Sequence, residues 1–228
     1  MKLVLIPGMD GTGELFGPLL AALPDQDCLV LPLPATGPQD YATLVQKIHA
    51  ELPTEPCVLM GESFAGPIAA QLSALPQVQA VIFVATFLSA PSRLLLSLAR
   101  WLPISGMMRM PGANGVLRVL MLGREASGPF LKQFKTVVEQ VDDQTLKNRM
   151  VAMQKLDPKL ARVNKPAIYL QPAHDRLVPK SKAIAFKQHF PAIQIQAIAG
   201  PHFILQSKPN QAAALIEDFL HHVAQDDQ

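Results

Sequence analysis

Cys57-Val58-Leu59-Met60-Gly61-Glu62-Ser63-Phe64-Ala65-Gly66 is an apolar run that ends in a Gly-x-Ser-x-Gly turn and leads into the helix-compatible stretch Pro67 to Leu75. A serine on a sharp strand-to-helix turn projects its hydroxyl above the sheet edge, and the flanking glycines remove side chains that would collide there. The helix that follows aims unpaired backbone N–H groups at the same point, where they favour developing negative charge. Ser63 is therefore a candidate nucleophile. The same serine could also be an ordinary helix N-cap. The surrounding sequence weighs between the two.

Two partners for such a serine follow, in the order acid then histidine. Asp175 lies just past the apolar run Ala167-Ile168-Tyr169-Leu170-Gln171, in the loop Pro172-Ala173-His174-Asp175-Arg176-Leu177-Val178-Pro179. His202 follows Ile195-Gln196-Ala197-Ile198-Ala199-Gly200-Pro201. Both runs read as strands. All three residues thus fall on loops at the carboxyl ends of strands, where an open parallel sheet places its ligands. Asp175 could instead cap a following helix or pair with Arg176. The other histidines compete poorly: His49, His189, His221 and His222 fall in or at the ends of helical patterns, and His174 adjoins Asp175.

With these motifs in place the chain resembles the α/β-hydrolase superfamily over most of its length. Leu3-Val4-Leu5-Ile6-Pro7-Gly8-Met9-Asp10-Gly11-Thr12-Gly13 is similar to that family's first core strand and oxyanion loop, with Pro7 where many members carry histidine. The resemblance implies that the backbone N–H groups of Met9 and Phe64 form the oxyanion hole. It implies a Ser63, His202, Asp175 triad and chemistry without a cofactor or metal. The family's other acid position, after the fourth strand, reads Thr86-Phe87-Leu88-Ser89 and has no carboxylate, which strengthens Asp175. The Pro-Gly-Met-Asp-Gly-Thr-Gly wording is close to that of some bacterial hydrolases and some plastid acyltransferases, so it leaves hydrolysis and acyl transfer both open.

The composition agrees with one globular catalytic unit. The chain has 228 residues, 49% hydrophobic and 17% charged, which excludes an intrinsically disordered chain. Its apolar runs stop well short of the ~20 residues a membrane span needs. The opening Met1 to Gly8 is too short for a secretory h-region and reads as a strand, so a cytoplasmic location is expected. Cys28 and Cys57 begin two strands expected to flank the first one, which argues against a disulfide. With 20 basic and 18 acidic residues the net charge is +2, too small to imply nucleic acid.

Strand-like runs at Leu3 to Ile6, Cys28 to Leu33, Cys57 to Met60, Ala80 to Ala85, Ala167 to Gln171 and Ile193 to Ile198 alternate with helical patterns at Leu15 to Leu23, Tyr41 to Leu52, Phe64 to Leu75, Ser181 to Phe190 and Asn210 to Ala224. This alternation predicts a mostly parallel sheet of about six strands with helices on both faces; the resemblance implies the α/β-hydrolase fold, here without its usual leading antiparallel hairpin. The core is expected over 1–87 and 165–228. An insertion over 88–164, too long for an ordinary crossover, is expected to fold into helices at Arg93 to Leu102, Asn114 to Leu122, Ser127 to Val141 and Asp142 to Leu156; the resemblance implies that it is a helical cap over the active site.

Asp10, Trp101, Met108 and Phe130 are candidate substrate contacts. Asp10 reads more readily as a turn former before Gly11, and an aromatic or methionine at helical spacing is more often core. From Leu88 to Arg124 the insertion holds Arg93, Arg100, Arg109, Arg118 and Arg124 with no acidic residue or lysine. Such a surface suits an acyl group delivered on an acidic carrier protein, as in the pimeloyl-carrier methyl esterases of biotin synthesis, which the chain resembles in architecture only. The same arginines could simply be solvated helix faces. The expected activity is a serine esterase for small to medium acyl chains, with carrier-linked ester hydrolysis or acyl transfer as alternatives.

Overall fold

The computed structural model describes residues 1–92, 106, 108, 110–124 and 126–226. Trp101, Arg93, Arg100, Arg109 and the helix expected at Arg93 to Leu102 lie outside the described residues.

Six strands form one sheet: β1 (Lys2–Ile6), β2 (Cys28–Val30), β3 (Cys57–Glu62), β4 (Val78–Val84), β5 (Ala167–Pro172) and β6 (Gln194–Ile198). Their order is β2-β1-β3-β4-β5-β6, and every pairing is parallel. β2 is shorter than the expected Cys28 to Leu33, because Pro32 and Pro34 carry no N–H for the ladder. Leu31 and Leu33 still donate to Leu5 O (2.9 Å) and Gly11 O (2.8 Å), so the chain runs on beside the loop after β1.

The period-2 alternation of the strands divides the apolar residues between two faces. Val4, Ile6, Leu59, Val81, Phe83 and Tyr169 join one core, covered by α2 (Tyr41–Glu51) and α3 (Gly66–Leu72). Leu3, Leu5, Val58, Met60, Ile82 and Leu170 join the other, covered by α1 (Gly17–Ala22) and by the long helix Pro209–Asp226. Burial of both faces explains why the strands read as continuous apolar runs. Cys28 and Cys57 are free thiols on β2 and β3, either side of β1.

Between β4 and β5 the described residues form α4 (Ala113–Leu117), a π-helical turn (Arg118–Leu122), α5 (Gly128–Gln140) and α6 (Asp143–Gln154). Polar side chains start two of these helices: Ser127 Oγ accepts from Phe130 N (3.2 Å), and Asp142 Oδ2 accepts from Thr145 N (3.0 Å). Leu117, Leu122, Leu131, Phe134, Val138 and Leu146 make a third apolar cluster against Leu15 and Met9. After β5 come α7 (Ser181–Ala185), then β6, α8 (Ile204–Ser207) and α9 (Pro209–Asp226). Among the described residues no helix is long and apolar enough to cross a membrane.

Candidate active site

Ser63 sits one residue past the carboxyl end of β3 with φ 49°, the left-handed region that a non-glycine residue enters at a cost of about 1 kcal/mol or more. Neighbouring groups hold it there. The Thr86 hydroxyl donates to Ser63 O, and Tyr41 OH donates to Phe64 O (3.1 Å) while its ring stacks on Phe64 at 4.9 Å. Thr86 is itself fixed by the buried Tyr169 hydroxyl, which accepts from Thr86 N (2.9 Å) and donates to Thr86 O (2.7 Å). A Cβ on Gly66 would collide with the Thr86 side chain, so helix α3 can approach β4 this closely only with glycine there. A single 3-10 turn, Ser63–Ala65, intervenes between the strand and α3.

Ser63 Oγ lies 2.9 Å from His202 Nε2, and His202 Nδ1 lies 2.8 Å from Asp175 Oδ2. The other Asp175 oxygen accepts from Leu177 N (2.8 Å) and Val178 N (2.9 Å), so the acid also caps its own loop. The imidazole and carboxyl side chains are only 4% and 2% exposed. Water therefore competes little for their hydrogen bond. The structure brings together the three residues singled out in the sequence, from loops 27 and 139 positions apart. A hydroxyl, an imidazole and a carboxylate in this chain can pass a proton from the hydroxyl to the imidazole while the acid balances the new charge.

The loop after β1 approaches the serine from the other side. Gly11 N donates to Gly8 O (3.1 Å), a turn with Met9 and Asp10 at its corner, and a Cβ on Gly8 would lie 3.6 Å from Ser63 Cβ. Asp10 Oδ2 accepts from Thr12 N (2.9 Å) and Thr12 Oγ1 (2.8 Å); Asp10 is thus a turn former that also faces the cavity. Phe64 directly follows Ser63, with its ring buried.

A cavity of about 320 Å³ opens at Ser63. Its walls are chiefly apolar, with Met9, Phe87, Met121, Phe134, Met150 and Phe203 prominent, and Met108 joins them. Phe130 is not among its lining residues. It packs half-buried against the apolar cluster of the insertion, and Phe134, one turn further along α5, takes the place at the cavity wall. Among the described residues no three His, Cys, Asp or Glu side chains gather as a metal site would.

Two buried polar groups had no local signature in the motif. Glu62, the variable residue before the serine, is 4% exposed and accepts from Gln206 Nε2 (3.0 Å). Burial pushes its carboxyl up from 4.5 to about 7; Asp10 adds to the shift, while Gln206 and His202 oppose it. Arg149 of α6 is fully buried and donates to Gln39 Oε1 (2.8 Å), Met9 O (2.8 Å) and Pro34 O (2.9 Å). Its signal was available: Leu146, Met150 and Met153 define the buried stripe of α6, and Arg149 falls on that stripe.

The profile of the family described as Serine aminopeptidase, S33 matches residues 36–223, far more than half of the chain. Among solved structures, an esterase from Exiguobacterium antarcticum superposes with a TM-score of 0.80 at 13% identity, over 97% of this chain and 92% of its own. A hydrolase from Oleispira antarctica gives 0.78 at 14%, over 98% and 90%. An epoxide hydrolase from Bacillus megaterium gives 0.77 at 12%, over 96% and 93%. At such identities the likeness is one of fold, which hosts several chemistries. Comparison with curated protein sequences finds no match. On the span of the family match, the chain belongs to the Serine aminopeptidase, S33 family of α/β hydrolases.

Proposed function

We propose that the protein is a serine esterase that cleaves carboxylic esters of small to medium acyl chains through an acyl-enzyme. The observation that carries this reading is the continuous relay Ser63 to His202 to Asp175, at 2.9 and 2.8 Å, opening on an apolar cavity. Ser63 Oγ attacks the ester carbonyl as His202 Nε2 takes its proton. The N–H groups of Met9 and Phe64 receive the oxyanion. Collapse of the tetrahedral intermediate expels the alcohol, which takes the proton from His202. Water then repeats the sequence on the acyl-enzyme and releases the acid. The chain's own residues supply every one of these roles.

The cavity sets the substrate scale. A volume of about 320 Å³ is at the small end of the ~300 to 1,000 Å³ of ligand pockets, which suits a small to medium acyl group. Its methionines adapt to such a chain better than branched side chains would. Among the described residues that line it there is no lysine or arginine to neutralise an acyl-borne carboxylate. A series of p-nitrophenyl esters from acetate to palmitate should give a kcat/KM that climbs through the medium chains and falls for the long ones. Flat or absent turnover across the series would defeat the reading. Added alcohols separate hydrolysis from acyl transfer, since a transferase diverts the acyl-enzyme to a new ester. A carrier-delivered acyl group is a second reading, favoured by the five arginines between Leu88 and Arg124, a location in the cytoplasm being implied by it.

A further inference from the structure

Arg149 carries a charge that helix anchoring does not require. A fully buried cation is expensive to desolvate, and an apolar side chain of similar volume commonly serves a packing role as well or better. What a guanidinium adds is direction, because its donors are held in one plane and point along fixed lines. Here those lines end on two separate segments of the core: the loop after β1 at Met9 O, and the connection from β2 to α2 at Pro34 O and the Gln39 side chain. Gln39, only 2% exposed, is fixed in turn by donating to Pro34 O (3.1 Å).

We propose that Arg149 is a positioning residue for the oxyanion hole, reaching from the β4–β5 insertion to lock the turn that presents the Met9 N–H to Ser63. The inference rests on the esterase reading of the site. Three observations meet at the turn. Its ends are tied by the Gly11 N to Gly8 O bond, and its corner carbonyl, Met9 O, is held by Arg149 Nη1. Gly11 (φ 73°) lies beside the guanidinium, where an added Cβ would collide with it. The Met9 N–H lies in the Gly8–Met9 peptide, whose carbonyl accepts from Gly11 N, and Arg149 holds the adjoining Met9–Asp10 peptide through Met9 O, so neither plane of the turn rotates without breaking one of these bonds. Burial lowers the guanidinium to about 10, and Asp10 pulls it back up, so it stays charged at neutral pH. The helix that carries Arg149 also lines the acyl cavity with Leu146, Met150 and Met153. One element therefore reads the acyl chain and aims the oxyanion donor.

The test uses the full-length chain and its Arg149→Met and Arg149→Lys variants. Two quantities are measured: kcat and KM for a medium-chain p-nitrophenyl ester, and the rate of Ser63 phosphonylation by a fluorophosphonate, whose phosphoryl oxygen occupies the same hole. Both are normalised to folded protein by near-UV circular dichroism. Arg149→Met should lose about ten- to a hundredfold in kcat and in phosphonylation rate, with KM within about twofold, since a misaimed donor weakens transition-state binding more than substrate binding. Lysine keeps one donor to Met9 O and should recover part of the loss. Should Arg149→Met fail to fold, Arg149→Lys, which keeps the charge but not the planar set of three hydrogen bonds, reads the same quantity. Parental kcat and phosphonylation in the folded variants would overturn the proposal. A parent that is phosphonylated at Ser63 yet turns over no ester refutes the esterase reading alone, and the phosphonylation ratios still decide on Arg149. A parent that resists phosphonylation overturns both.

Discussion

Replacing Glu62 with glutamine should stabilise the protein, and more so as pH rises. The folded carboxyl titrates at about 7 against an ordinary 4.5, with burial the chief cause. The sign follows from the proton balance. Below 4.5 the group is protonated in both states and has no effect. Between 4.5 and 7 the unfolded chain releases a proton that the folded one keeps, so stability falls as pH rises, and the penalty is complete above about 7. A difference of about 2.5 pKa units corresponds to about 3 kcal/mol at 1.36 kcal/mol each, and the 4% exposure leaves little solvent to screen it. Glutamine removes the charge, keeps an acceptor for Gln206 Nε2, and offers an N–H to Gln206 Oε1, which has no partner among the described residues. Urea unfolding of parent and Glu62→Gln at pH 4.5, 6 and 8 measures the effect. Their difference should grow by about 3 kcal/mol from the first pH to the last, or roughly 6 to 12 °C in Tm for a chain of this size. A pH-independent difference would refute the buried, uncompensated carboxyl.

Ser63→Ala should lose several orders of magnitude in kcat and leave Tm nearly unchanged, because the hydroxyl faces the cavity; activity close to the parent's on p-nitrophenyl acetate would rule Ser63 out as nucleophile. Asp175→Asn should keep both backbone bonds of the loop, from Leu177 and Val178, yet lose about 10⁴-fold in kcat, since its amide favours the wrong His202 tautomer; wild-type rates would move the acid elsewhere. Gly66→Ala should drive the Thr86 side chain off Ser63 O and cost about 1 to 3 kcal/mol, seen as a fall of several degrees in Tm, and an unshifted melt would contradict the close approach of α3 and β4. On the carrier reading, kcat/KM for a carrier-linked ester should drop steeply between low and physiological salt while a free ester barely changes; equal responses would dismiss it.

What could be read in advance was local. Apolar runs with helical spacers placed five of the six strands to within two residues at each end, and the motif around Ser63 and the loops at Asp175 and His202 pointed to residues that meet in space. Helix α5 begins directly after Ser127 and α6 directly after Asp142, because capping chemistry is written in adjacent residues. The misses concern contacts with no neighbour in sequence. Arg149 reaches Met9 across 140 positions and Gln39 across 110; Gln206 reaches Glu62 across 144. No periodicity encodes such a bond. The exchange of Phe130 for Phe134 at the cavity wall has a different cause: both are spaced for the same helix face, and only packing against Phe203, ring to ring at 5.2 Å, selects the second.

The strand order has a consequence for how the chain reaches its folded state. Synthesis delivers β1 to β4 first, and together they can pair as a four-stranded parallel sheet whose open side is Val78–Val84. That strand is almost wholly apolar, and its remaining ladder of N–H and C=O groups waits for Ala167–Pro172, which follows only after the whole segment between β4 and β5 has emerged. An apolar strand edge left unpaired is a template for another chain, and pairing across so long a loop is slow. The nascent protein is therefore most prone to aggregate in the interval before β5 docks, and the same docking that ends this exposure brings the Asp175 loop to the serine.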